Sequence, residues 1–281
     1  MRTVPPTSSR GDHEPTRMAM LQETPYARPE DFEHGAPHLT HPALRATANG
    51  MIREIVLERF DAVGHCQALE VGAGAGAFTD ILLAAGAEVI STEMNHRAVN
   101  ALAARFRHNH RATPLFDCDG EEIFRRAHHF DAVFCISVLH HIPDYLHYLE
   151  RIIDRINPGG TLLSYQDPLY YPRRRRVNLL VDRAAFLAWR VRQGELRRGL
   201  ATQIRRWRKV YDEHLASDMA EYHVVRDGVD ELAISELLAG HFREVYLTSY
   251  WSTPSRTAQT LGDRLRIENT FAVRACGRVS G

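Results

Sequence analysis

The chain has 281 residues, 44% hydrophobic and 25% charged, and its 35 basic and 35 acidic residues balance to a formal net charge of zero. That describes one large globular domain, or one domain with an insertion, and excludes a fibrous or low-complexity chain. Balanced charge gives no global attraction to nucleic acid, and no apolar run reaches the roughly 20 residues that cross a bilayer.

Residues 1–25, rich in Pro, Ser, Thr and charge, read as a disordered leader. Residues 26–64 read as an N-terminal helical cover, with a helix over 43–60 carrying Leu44, Met51, Ile55 and Phe60 on its apolar side. The core is expected over 65–167. It opens with a strand, 67–71, that runs into Gly72-Ala73-Gly74-Ala75-Gly76 and then a helical pattern from Phe78. Glycines there let the backbone bend and approach a ligand with no Cβ in the way, and the helix that follows points its N–H groups at the turn. A second strand, 88–92, ends at Glu93, about 20 residues past the first glycine, the spacing at which a carboxylate reaches a bound ribose. A helix over 95–107 and a strand over 113–116 lead to Asp117-Cys118-Asp119-Gly120, where an Asp suits an adenine amino group.

Residues 130–139 form an almost wholly apolar fourth strand, fit for burial on both faces. The loop His140-His141-Ile142-Pro143-Asp144 follows it, then a helix over 145–156 that Asn157-Pro158-Gly159-Gly160 is expected to stop, then a fifth strand over 161–166. Strands and helices alternate, which means parallel βαβ units with the ligand beyond the strands' C-terminal ends. Residues 168–226 break the rhythm and read as a helical insertion, either a substrate lid or a dimer surface. It holds the run Arg173 to Arg176, helical spacing at Leu180, Ala184, Leu187 and Val191, and a second helix over 197–215. Residues 227–281 return to the core, with a helix over 230–238 and two closing strands, 242–251 and 267–276. The four cysteines show no metal spacing and read as reduced, which places the chain in the cytoplasm; no metal is expected.

Gly72, Gly74 and Ala77 also satisfy the dinucleotide pattern Gly-x-Gly-x-x-Gly/Ala, so an NAD-dependent oxidoreductase is one reading. Four features favour another. Glu70 stands two residues before the first glycine, Phe130-Asp131-Ala132-Val133 opens strand four, Pro158-Gly159-Gly160 precedes strand five, and a strand-loop-strand unit ends the chain. Together these parts resemble the class I S-adenosylmethionine-dependent methyltransferases. The resemblance implies a Rossmann-like α/β fold with a seven-stranded sheet, helices on both faces and an antiparallel last strand. It implies that the methionine end of S-adenosyl-L-methionine lies on Gly72, Gly74 and Gly76 beside Glu70, and that Glu93 holds the ribose. Met94 would pack on adenine, Asp119 with Gly120 would take its amino group, with Asp117 as the fallback, and Cys135 would line the methionine end through its backbone. The segments Val138-Leu139-His140-His141-Ile142 and Asn269-Thr270-Phe271-Ala272-Val273 are similar to the small-molecule, natural-product branch of the class.

Methyl transfer from a sulfonium needs an aligned nucleophile and, where a proton must leave, a base. His141, Tyr165 and Tyr170 are the candidates, with Asp167 beside the same mouth and His38 and His41 within reach if the N-terminal helix closes over it. Tyr165, Tyr170, Tyr171, Trp189 and Trp251 favour an aromatic or heteroaromatic acceptor such as a phenol or an indole. The expected partners are a small-molecule substrate and a second copy of the chain, with nucleic acid and membrane unlikely. Methylation of RNA through the arginine-rich insertion and a non-catalytic cofactor-binding subunit stand as further alternatives.

Overall fold

A computed structural model describes residues 36–192 and 227–280. The leader, the first part of the cover and the insertion helix expected over 197–215 lie outside the described residues. The elements, in chain order, are α1 (Pro37–Thr40), α2 (Pro42–Val63), β1 (Gln67–Val71), α3 (Ala77–Ala84), β2 (Glu88–Glu93), α4 (His96–Phe106), β3 (Ala112–Phe116) and α5 (Glu122–Arg125). There follow β4 (Phe130–Ile136), a 3-10 turn (Leu139–His141), α6 (Tyr145–Ile153), β5 (Ile156–Pro168), a second 3-10 turn (Tyr171–Arg173), α7 (Arg176–Arg192), α8 (Glu231–Ala239), β6 (Phe242–Tyr250), α9 (Arg256–Leu265) and β7 (Thr270–Arg278). The strands form one sheet of seven in the order β3-β2-β1-β4-β5-β7-β6. Strands β1 to β5 pair in parallel, and β7 runs antiparallel to both β5 and β6. The expected sheet and its antiparallel closing strand are therefore present, and the dinucleotide order 3-2-1-4-5-6 is not.

Alternation along β4 builds the two cores. Val133 and Cys135 face one side, where Leu149, Ile152 and Ile153 of α6 and Ile234 and Leu238 of α8 cover them. Ala132, Phe134 and Ile136 face the other, under Ile52 and Ile55 of α2 and Phe78 and Leu82 of α3. All seven residues of β4 are buried, as the centre of a sandwiched sheet requires. The cover is anchored at both ends. The Tyr165 hydroxyl donates to the Leu44 carbonyl at 3.1 Å, and Arg274 of β7 pairs with Glu54 and Glu58 of α2.

Asp131 ties down the end of the sheet opposite the strands' C-termini. It accepts from the Gln67 N–H and the Asn157 side chain, each at 2.9 Å, and Arg59 lies 3.8 Å away. Two expectations need correction here. Asn157-Pro158-Gly159-Gly160 does not stop a helix; α6 already ends at Ile153. Those four residues bulge out of β5 between the pairs Phe130–Ile156 and Ala132–Thr161, with Gly159 at φ +75°. The Ser/Thr/Arg-rich stretch before the last strand is not a loop throughout but contains α9, capped by the Ser255 hydroxyl, which accepts from the Ala258 N–H.

Gly76 shows how tightly the glycine loop is seated. Its φ is +81°, and a Cβ there would stand 2.7 Å from the Leu102 side chain and 3.1 Å from Phe106. Left-handed strain and overpacking act together, so Gly76→Ala is expected to lower the urea unfolding free energy by about 2–4 kcal/mol. A change within error would mean that α4 yields to the added methyl.

Candidate functional site

The glycine loop leaves β1 with Gly72, Gly74 and Gly76 all at positive φ, of +69°, +55° and +81°. Val138, on the chain leaving β4, closes over Gly72 so tightly that a Cβ there would lie 2.6 Å from its side chain. Gly76 packs on α4, which leaves Gly74 as the tip of the loop. Its N–H donates to the Glu93 carboxylate at 2.9 Å. The same carboxylate accepts from the Met94 N–H at 2.8 Å and the Asn95 N–H at 3.1 Å. Burial raises the Glu93 pKa, and the three N–H groups partly offset that. Glu70 is buried below the loop, where the Thr79 hydroxyl of α3 donates to it. Its pKa is pushed up to about 8, chiefly by burial, with Thr79 pulling the other way.

Of the two acids after β3, Asp117 is buried and accepts from the Glu122 N–H at 3.1 Å, while its own N–H reaches the Glu93 carbonyl at 3.0 Å. Asp119 is more open, with its side chain 24% exposed. It pairs with Arg125 at 2.7 Å and accepts from the Glu121 N–H at 3.0 Å. Burial raises the Asp119 pKa, but Arg125 and that N–H hold it below the usual range. Gly120, at φ +73°, makes the turn behind it. Met94 is half-buried beside Glu93. Cys135 sits inside the ladders on both sides, opposite Val71 and Ser164, with its side chain in the core covered by α6 and α8. The chain leaves the sheet at Ser137 and Val138 instead.

Beyond the ends of β4 and β5 stands a cluster of imidazoles. Ser137, just past the end of β4, and Gln166, at the bulge in β5 between Tyr165 and Asp167, both have positive φ, +57° and +73°, which marks strained backbone on two adjacent strands. The turn at Ser137 delivers His140 and His141, with ring centroids 4.0 Å apart. His140 Nδ1 lies 2.7 Å from the Asp167 carboxylate, and the His140 N–H donates to the same oxygen at 3.2 Å. The Ser164 hydroxyl donates to the other oxygen at 2.9 Å, and Asp167 is wholly buried. His38 comes down from α1, is buried and stacks on Phe78 at 5.8 Å. Burial, then the neighbouring His140, lowers its pKa to about 3; the same two causes hold His141 well below the usual range. The Nδ1 atoms of His38 and His141 are sealed from solvent and lack a hydrogen-bond partner. His41 turns away, its Nε2 2.9 Å from the Thr253 carbonyl.

The two tyrosines fall elsewhere. Tyr165 is buried, stacks on Tyr250 at 5.3 Å and uses its hydroxyl to hold α2, which is an anchoring position. Tyr170 lies under the Arg173 guanidinium at 4.7 Å, and its N–H donates to Glu231 at 3.1 Å. Trp251 is buried and clusters with Ala185 and Ile267. It packs where a Cβ on Gly262 would lie 2.3 Å from its ring, and its Nε1 donates to the Ala258 carbonyl. Sequence reasoning missed the Asp167–His140 pair, since nothing in a His-His doublet says which ring meets an acid. Among the described residues no group of three or more His, Cys, Asp or Glu is arranged to hold a metal ion, and no helix is long and apolar enough to cross a membrane.

The raised pKa of Glu70 fixes the sign of a pH effect. The folded protein favours its protonated form, so its contribution to stability is complete below about pH 4.5 and is lost as pH rises toward about 8. Glu70→Gln is expected to remove that part of the decline in urea midpoint between pH 5 and 8. An equally steep decline in the variant would place the titrating group elsewhere.

Residues 69–162 match a family model described as a methyltransferase domain. A ubiquinone biosynthesis O-methyltransferase of Coxiella burnetii (strain Dugway 5J108-111) is 28% identical over 95 residues, 34% of this chain and 40% of that protein. One of Xanthomonas campestris pv. campestris (strain B100) is 27% identical over 106 residues, 36% of this chain and 43% of that protein. The chain thus spans about two fifths of the length of the curated relatives it matches. Among solved structures, the N-methyltransferase NodS from Bradyrhizobium japonicum WM9 with S-adenosyl-L-homocysteine superposes with a TM-score of 0.54 at 17% identity, over 93% of this chain and 98% of that one. The CurJ carbon methyltransferase gives a TM-score of 0.53 at 12% identity, over 95% of this chain and 61% of that one. Residues 69–162 thus match a methyltransferase domain, and the sheet order, the glycine loop and the neighbouring structures agree with the fold of the class I S-adenosylmethionine-dependent methyltransferases.

Proposed function

We propose that the chain transfers a methyl group to a nucleophilic oxygen or nitrogen of a small aromatic or heteroaromatic acceptor, and that His141 takes up the acceptor's proton. The observation that carries this is the imidazole cluster at the ends of β4 and β5, next to Val138 and the glycine loop. S-adenosylmethionine, when bound, supplies an electrophilic methyl on a sulfonium. The residues present fit it: a loop of left-handed glycines, and a buried Glu93 that already accepts hydrogen bonds from N–H groups and suits ribose hydroxyls. Glu70, Met94, Asp119 and Gly120 are assigned to the same ligand. Tyr165 and Cys135 become structural neighbours of the site in this proposal.

His141 is kept neutral by burial, so it meets an incoming acceptor as a base with an open lone pair or as a polarising donor. Asp167 orients His140 through Nδ1. His38 closes the cluster from the cover, so the base sits away from bulk water. An acceptor oxygen is in keeping with the name of the Coxiella relative, an O-methyltransferase. Against methylation of RNA, half of the arginine run is already engaged: Arg173 pairs with Asp230 and Glu231, and Arg174 with Asp182.

Calorimetric titration with S-adenosylhomocysteine and, in parallel, NAD tests the class; micromolar binding of the first and none of the second is expected. The reverse would return the dehydrogenase reading. In a methyl-transfer assay, His141→Ala and Asp167→Asn are expected to keep S-adenosylhomocysteine affinity within about threefold and to lower kcat by about 10²-fold or more. Unchanged kcat in His141→Ala would return that ring to packing.

A further inference from the structure

Arg174 stands out from the arginine run around it. Arg175 and Arg176 are exposed, but the Arg174 side chain is only 2% exposed. Its Nη1 donates to Asp182 at 3.0 Å. Its Nε and Nη2 are sealed from solvent and have no hydrogen-bond partner. Those two atoms form one edge of the guanidinium, the edge that grips a carboxylate with two parallel hydrogen bonds. Leaving two charged donors buried and unmatched is unfavourable, and a ligand with the complementary edge removes that penalty.

Hydrogen bonds link the position to the end of β5. Asp182 also accepts from the Asn269 side chain at 3.0 Å. Asn269 in turn holds the Ser252 N–H and carbonyl, and Ser252 takes a hydrogen bond from Gln166 at 2.6 Å. This chain of contacts runs from α7 to the exit of β5, one residue from Asp167. Tyr171 flanks the guanidinium at 5.5 Å from its centroid. The glycine loop and Glu93 lie across the sheet, beyond β4.

We propose that Arg174 binds a carboxylate of the methyl acceptor through its Nε–Nη2 edge, so that the acceptor is an aromatic or heteroaromatic acid. This rests on the methyltransferase reading above and deepens it. A carboxylate suits the site better than a phosphate. Asp182 already offsets part of the charge and Arg173 is committed to Asp230 and Glu231, so one partly neutralised cation faces the ligand, enough for a monoanion.

The test is calorimetry on the full chain, with and without saturating S-adenosylhomocysteine. The probes are benzoate against benzamide, indole-3-acetate against indole-3-acetamide, and phenyl phosphate. At least one acid is expected to bind wild type tenfold or more tightly than its amide. Arg174→Gln should abolish that preference and Arg174→Lys should retain part of it, both with unchanged S-adenosylhomocysteine affinity. Equal affinity of acid and amide in both pairs overturns the proposal, and so does a preference undiminished in Arg174→Gln. Tighter binding of phenyl phosphate than of benzoate overturns the choice of carboxylate. Failure of S-adenosylhomocysteine to bind sinks the methyltransferase reading instead, and the arm without it still decides whether Arg174 selects acids.

Discussion

The buried carboxylate of Asp167 is the contact on which the junction between the ends of β4 and β5 depends. A carboxylate with no exposure must have its lone pairs taken up, and here three donors do so: the Ser164 hydroxyl, the His140 N–H and the His140 ring. Through them the end of β5 is tied to the turn that leaves β4. That turn places His141, and Val138 within it closes on Gly72. The geometry of the glycine loop and that of the histidines are therefore not independent. Strain at Ser137 and Gln166 sits on both sides of this junction, at the exit of β4 and at the bulge in β5.

Glu93 is the counterpart on the other side of β1. It joins three N–H groups from the glycine loop and the start of α4 into one knot. Both knots use a short strand-end acid to hold a loop from a neighbouring strand. The parallel order makes this available, because it puts the C-terminal ends of β2, β1, β4 and β5 side by side.

The central sheet was legible because its signals are local: an apolar run, a glycine turn, a helix period, repeated. What escaped is instructive. Helix α9 buries Gln259 and Gly262 and leaves Leu261 and Leu265 exposed, so its apolar pattern points the wrong way. Gly262 is buried because the Trp251 ring lies on it, a contact with a residue eleven positions earlier that no periodicity records. Pro158-Gly159-Gly160 carries the composition of a helix stop and serves as a bulge, since Arg59 and Asp131 hold that end of the sheet from far away in sequence. The acids and glycines of the loop were visible by spacing. The histidine cluster was visible only in part, because His38 joins it from another element and Asp167 chooses His140 over its neighbour.

Arg174 shows the limit of composition most sharply. Four consecutive arginines read as one solvated patch, yet the fold treats its members differently: one is paired on the surface with Asp230, the next is buried against Asp182, and two face water. Arg174 is the extended residue that closes the 3-10 turn at Tyr171–Arg173, its N–H donating to the Tyr171 carbonyl, two positions before α7 begins. A cation turned inward with two of its three nitrogens unmatched loses stability that an outward rotamer would keep. The arginine stands at the end of a hydrogen-bonded chain leading to the exit of β5, and the proposed acceptor carboxylate would match the two nitrogens the fold leaves without partners.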